Sequence, residues 1–156
     1  MTQMDHGVSV NREIAAPADK VWSMVANLDR MGEWSPENDG GRWVGGAEGP
    51  EVGAVFGGRN HIRWRRWSTK VTVIESDPPR RFAFRLRIGL LGGCDWVYEI
   101  EPTEGGCQVT ESWVDHRTWL LKKIGWAFTG VADRATHNRS TMEATLDNLA
   151  RAVEAV

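Results

Sequence analysis

From Val131 to Val156 the chain runs without a Gly or Pro, the two residues that most readily end a helix. On a helical wheel Val131, Ala135, Asn138, Met142, Leu146, Leu149 and Val153 fall on one stripe. About 25 residues at ~1.5 Å each make a rod of roughly 37 Å, long enough to cross a small domain. Such a rod has to bury its stripe against one broad apolar surface. A curved sheet supplies one.

The strands for that sheet are visible upstream. Val8, Val10 and Ile14 share one face of an opening strand. Ala16-Pro17-Ala18-Asp19 then starts a helix, with Pro17 in its first turn and Val21, Trp22, Val25 and Leu28 at helical spacing. A second short helix ends near Trp34-Ser35-Pro36, because Pro36 disfavours helix at Ser35. Between Gly40 and Asp115 six strands are expected, around Trp43, Ala54–Asn60, Trp67–Glu75, Phe82–Ile88, Asp95–Glu101 and Cys107–Asp115. Turn signals separate them, and connections this short make an antiparallel meander. The expected class is α+β, a single domain spanning residues 1–156.

Composition narrows the function classes. A chain of 156 residues with 41% hydrophobic content can build one sizeable core. Nineteen Lys and Arg against 21 Asp and Glu leave a net charge of -2, so no global field favours nucleic acid or anionic lipid. No run reaches the roughly 18 apolar residues of a transmembrane helix. Met1 to Gly7, with Asp5 and His6, does not read as a signal peptide, and a cytoplasmic location is expected. His6, His61, His116 and His137 show no ligand spacing with one another or with Cys94 and Cys107, so no metal is expected. Gly45 to Gly53 lacks the Gly-Lys-Ser/Thr ending of a phosphate loop, and no cofactor is expected. Nine tryptophans, by contrast, suit a wide hydrophobic interior or an aromatic-lined cavity.

Alternation shows which side of the meander is wet. Phe82, Phe84, Leu86 and Ile88 share one face, with Arg85 and Arg87 on the other. Trp96, Tyr98 and Ile100 are inward, with Asp95 and Glu99 outward to meet the arginines across the strand pair. An outward Lys70 turns Trp67, Thr69, Val71 and Val73 inward. A four-residue loop from Pro102 to Gly105 would pair Ile100 with Cys107, Tyr98 with Val109 and Trp96 with Glu111. That register puts Glu111 on the apolar face between Val109 and Trp113. It also holds Cys94 roughly 20 Å from Cys107, too far for a disulfide. The helix stripe is uneven: Leu146, Leu149 and Val153 fill space, whereas Ala135, Asn138 and Met142 fill less and include a polar head. Tight interdigitation and a ligand pocket are both compatible with that pattern.

The opening Val8–Trp22, then Asp29-Arg-Met-Gly-Glu-Trp34-Ser-Pro36, and the closing Asp133-Arg134 with Met142–Leu149 resemble the START-related polyketide cyclase/dehydrase and lipid transport superfamily, SRPBCC. The resemblance covers essentially the whole chain. It implies the helix-grip fold, a seven-stranded antiparallel sheet around a long C-terminal helix with a hydrophobic cavity between them. It supplies no reaction, since members include carriers, cyclases and chaperone activators, and Pro17, Val21, Trp22 and Trp34 look structural.

Candidate contacts for a lipid-like or polyketide-like ligand are Asn60, Trp67, Trp96, Tyr98, Glu111, Trp113, Asn138 and Met142. Glu111 is the sharpest, because a carboxyl on an apolar face has its pKa raised and can hold a proton. If the chain is an aromatase/cyclase, Glu111, Tyr98 or His116 would move the proton. A protein-binding helper would instead have a filled interior. Arg59, His61, Arg63, Arg65 and Arg66, interleaved with Trp64 and Trp67, resemble a nucleic-acid patch. They read better as a solvated hairpin tip, and no nucleic-acid partner is expected. Trp119 to Phe128 is an apolar stretch that reads as a short helix packed on the rim; a lid, a membrane contact or a homodimer contact are its alternatives.

Overall fold

The computed structural model describes residues 7–155. The expectations for Met1 to His6, and the end of the last helix at Val156, lie outside them. Seven antiparallel strands form one sheet in the order β1-β7-β6-β5-β4-β3-β2. They are β1 (Gly7–Ile14), β2 (Asn38–Val44), β3 (Val55–Ile62), β4 (Arg65–Asp77), β5 (Arg81–Arg87), β6 (Gly93–Thr103) and β7 (Gly106–Asp115). Helix α1 (Ala18–Val25) and a 3-10 turn (Leu28–Glu33) follow β1. Helix α2 (Trp119–Thr129) and the long α3 (Arg134–Glu154) close the chain. This is the helix-grip arrangement, with α3 packed along β1 and β7.

The wet and dry faces fall as alternation requires. Arg85 pairs with Asp95 and Arg81 with Glu99 across β5 and β6, each at 2.7 Å on the convex side. Val8, Val10, Ile14, Val73, Phe82, Tyr98, Ile100 and Val109 are buried on the concave side. Register irregularities between Val73 and Glu75, and between Asn38 and Gly41, bend the sheet around the helix. Trp22 donates its indole N–H to the Arg81 carbonyl at 2.9 Å, packs edge-on against Phe82, and thereby pins α1 to the sheet. Trp34 is fully buried in the same core.

Four details differ from the sequence reading. Pro17 is extended and caps α1 from outside rather than sitting in its first turn. Helix α3 begins at Arg134, so Val131 precedes it, and Ala135 is exposed while Arg134 takes the inward position. The β6–β7 turn has two residues, Glu104 and Gly105, not four. The register therefore moves by two: Glu111 pairs with Tyr98, Trp96 with Trp113, Ile100 with Val109, and Pro102 with Cys107. A shift of two keeps every side chain on its face. Both cysteines are buried and free.

Candidate functional site

The uneven stripe on α3 has a structural counterpart. Its C-terminal half, with Leu146, Leu149 and Val153, is packed solid into the core. Its N-terminal half does not close onto the sheet. There Asn138, Thr141, Met142 and Thr145 line a cavity of about 450 Å³ between the helix and the concave face. That volume lies within the ordinary range for small-molecule sites, roughly 300–1,000 Å³. The sheet contributes Phe56, Val71, Phe84 and Leu86 to the wall. Helix α2 packs against the rim through buried Leu121 and adds Ile124, Gly125 and Phe128 to the lining.

Glu111 stands in the middle of the apolar wall. Its cross-strand neighbours are Val10 on β1 and Tyr98 on β6, and Val109 and Trp113 flank it along β7; all are buried. Glu111 is only 3% exposed, and its Oε1 has no hydrogen-bond partner. Burial pushes its pKa up to about 8; the Tyr98 hydroxyl offsets that only in part. At neutral pH the side chain is therefore mainly a carboxylic acid, with one O–H available as a donor. The Tyr98 phenol, fully buried, is likewise pushed well above its ordinary range by burial and by the nearby Glu111.

A second polar group on the wall was not anticipated. Glu37 accepts hydrogen bonds from Arg134 Nη1 and His137 Nε2, both at 3.0 Å, and Arg134 also donates to Asn138 Oδ1 at 3.3 Å. Burial alone would raise the Glu37 pKa, but the hydrogen bond from His137 and the Arg134 charge outweigh it and hold the group ionised. Nearby, Asn38 donates to Asn60 Oδ1 at 3.3 Å, and Asn60 donates to Thr69 Oγ1 at 3.1 Å. The wall thus offers a neutral acid with a phenol, a paired cation, and a chain of two amides ending on one hydroxyl.

All eight candidate contacts, Asn60, Trp67, Trp96, Tyr98, Glu111, Trp113, Asn138 and Met142, lie on the cavity wall. Trp96 and Trp113 are tilted neighbours, with ring centroids 6.4 Å apart. His116 is not among them. The strand has already turned outward at its position, and its ring is exposed beside Asp95, 3.3 Å from Oδ2, on the convex side with Arg85. It cannot serve as a base in the cavity. Sequence reasoning missed Arg134 and Glu37. Counting four residues back from Asn138 reaches Arg134, a signal that was present but was outweighed by the apolar Ala135 one position on. Among the described residues, no cluster of three or more His, Cys, Asp or Glu side chains is arranged to hold a metal ion.

The hairpin basics are mostly engaged in structure. His61 and Arg66 pair with Asp39, at 2.9 and 3.8 Å, and Arg65 donates to the Ala127 carbonyl at 2.9 Å. They are tied to the fold rather than arrayed for a phosphate backbone.

The sequence profile of the family described as "Polyketide cyclase / dehydrase and lipid transport" matches residues 5–154. No curated protein matches the chain significantly. Among solved structures, the chain is similar to the Polyketide_cyc-like protein Cgl2372 from Corynebacterium glutamicum, with 32% identity, 95% of this chain and 91% of that one covered, and a TM-score of 0.64. The ginseng major latex-like protein 151 from Panax ginseng shares the fold at 14% identity, with 94% and 96% covered and a TM-score of 0.72. So does the di-domain ARO/CYC StfQ of the steffimycin biosynthetic pathway, at 16% identity and a TM-score of 0.70, over 94% of this chain and 50% of that one.

Proposed function

Because the chain belongs to the polyketide cyclase / dehydrase and lipid transport family, we propose that it binds one hydrophobic small molecule, lipid-like or polyketide-like, between the sheet and α3. One observation carries the reading: a buried carboxyl, unpartnered at Oε1, lines an apolar cavity of ligand size. Leaving a buried polar atom unsatisfied costs about 1–3 kcal/mol, and a ligand oxygen that accepts the Glu111 proton recovers that cost. The ligand this site suits is largely apolar, flat enough to lie along Trp96 and Trp113, and carries a carbonyl or hydroxyl oxygen. A panel of aromatic and acyl compounds tests it, read by tryptophan fluorescence and melting temperature. Binders should shift both, and Glu111→Leu should weaken the oxygen-bearing members about tenfold while sparing their hydrocarbon analogues. A panel that moves neither signal overturns the reading.

The Tyr98–Glu111 pair favours a second reading, an aromatase/cyclase. Here Glu111 gives its proton to a ligand carbonyl oxygen, and the carboxylate so formed takes one from the adjacent carbon. The product is the enol, with no net gain or loss of protons. StfQ, named an ARO/CYC, shares the fold. Glu111→Gln separates the two readings: it abolishes turnover of a polyketide-type substrate while sparing binding. A helper acting only through its surface requires a filled interior, and the cavity does not favour it.

A further inference from the structure

The exposed hydrophobic side chains of this protein are concentrated around the cavity mouth. Leu90 is fully exposed, Trp64 is 76% exposed, Trp119 69%, Phe128 67% and Trp126 57%. They come from three segments: the β3–β4 turn, the 3-10 turn Gly89–Leu91 between β5 and β6, and α2. Hydrogen bonds tie the segments together. Thr118, which caps α2, donates both its N–H and its hydroxyl to the Leu91 carbonyl at 2.9 Å. At the other end of α2, Arg65 binds the Ala127 and Phe128 carbonyls while its guanidinium stacks 4.7 Å over Trp64. The result is one continuous surface, with α2 as a bar about 16 Å long across its middle.

Charge on this surface is one-sided. Residues 61–67, 86–94 and 117–132 contain seven Arg and Lys and no Asp or Glu, in a chain whose net charge is -2. Even with neighbouring Asp39, Asp115 and Asp133 counted against them, this region keeps a net +4, and the remainder of the chain carries -6. Among the described residues Arg63, Arg87 and Lys123 form no ion pair, and Lys123 lies 4.6 Å over the exposed Trp119 ring. Tryptophans and leucines interleaved with unpaired cations, on an otherwise acidic protein, complement a surface with an apolar interior and anionic headgroups.

We propose that the face formed by Trp64, Leu90 and α2 docks on an anionic lipid bilayer. Trp119, Trp126 and Phe128 enter the headgroup boundary, and Arg63, Arg87 and Lys123 meet the lipid charges. The docked face is also the cavity rim, where Ile88, Ile124 and Phe128 are both exposed and part of the lining. An apolar ligand therefore passes between bilayer and cavity without crossing water. Docking needs only this surface, and the passage rests on the binding role proposed above.

Co-sedimentation of the intact protein with phosphatidylcholine vesicles, with and without phosphatidylserine, tests the docking. Binding should require phosphatidylserine and weaken as salt is raised. The combined neutralisation Arg63→Asn, Arg87→Gln and Lys123→Gln should weaken it roughly a hundredfold. The separate pair Leu90→Ser and Trp126→Ser, both at exposed positions, should weaken it at low salt without changing the melting temperature. Thr141→Trp, which fills the cavity, should dock like the unaltered chain, so a failed ligand reading leaves this result standing. Absence of binding to anionic vesicles overturns the proposal. So does binding that is indifferent to these substitutions. Sedimentation of the free protein as a dimer that Leu90→Ser and Trp126→Ser convert to monomer would also overturn it, assigning the face to a second copy.

Discussion

Tyr98 and Glu111 are directly opposite each other on β6 and β7, both buried and both on the cavity wall. Burial of Glu111, which the Tyr98 hydroxyl offsets only in part, makes stability depend on pH in an unusual direction. An ordinary Glu titrates near 4.5, whereas burial holds folded Glu111 at about 8. Between those values the folded chain keeps a proton that the unfolded chain has released, so this contribution to stability is complete below about pH 4.5. It falls as pH rises, and levels off above about pH 8. Glu111→Gln removes the dependence. The variant should match the unaltered chain at pH 5 within about 1 kcal/mol and exceed it by a few kcal/mol at pH 9, measured by urea unfolding. Parallel pH profiles for the two proteins would contradict a buried neutral acid.

Glu37 behaves in the opposite sense. The hydrogen bond from His137 and the Arg134 charge hold its pKa below the ordinary range despite burial. Its contribution is therefore full above pH 4.5 and is lost as pH falls through the folded value. Glu37→Gln should cost about 1–3 kcal/mol at pH 7, because it leaves Arg134 beside the cavity without its counter-charge. The gap should narrow as pH falls below 4.5 and through the lower folded value. A gap that is constant with pH would mean the pairing contributes nothing.

The mouth of the cavity depends on a close crossing at Gly92. Its φ is +82°, and a Cβ there would lie 2.1 Å from the His116 carbonyl oxygen. The backbone on either side is tied in place, with Ile88 donating to the Gly92 carbonyl at 2.8 Å and His116 to that of Gly93 at 2.7 Å. Gly92→Ala should cost at least ~2 kcal/mol through backbone strain and collision together. Gly89→Ala is the control: its φ is +51°, but a Cβ there meets open space. It should cost about 1 kcal/mol, from backbone conformation alone. Equal losses in thermal unfolding would contradict the crowding at Gly92.

The faces of the sheet were readable from alternation, because a period of two leaves little room for error once Arg85, Asp95 and Lys70 mark the wet side. Register was not readable. Pro102 reads as a turn residue, yet it lies within β6 beyond the last β5 pair, Arg81–Glu99, where the strand has lost one neighbour and tolerates a missing N–H. The correct partner of Glu111 follows from that one assignment. The cavity was half legible: small and polar residues on the front of α3 raised the possibility, but only the bend of the sheet decides whether helix and strands meet. The Glu37–Arg134–His137 cluster joins residues about a hundred positions apart, and no local pattern reports such a contact. His116 continued the chemistry of β7 on paper. Its backbone, however, has left the strand, and its side chain joins the convex face.

Thr141→Trp bears most directly on the central claim that the space beneath α3 receives a ligand. Thr141 lines the cavity on the solvent-near side of the helix stripe, so the indole enters the void rather than the core. Calorimetric titration of the unaltered chain with its best panel binder should give one saturable site, with Thr141→Trp folded, near its original melting temperature, and unable to bind. Undiminished affinity in that variant would place the ligand elsewhere and contradict the account.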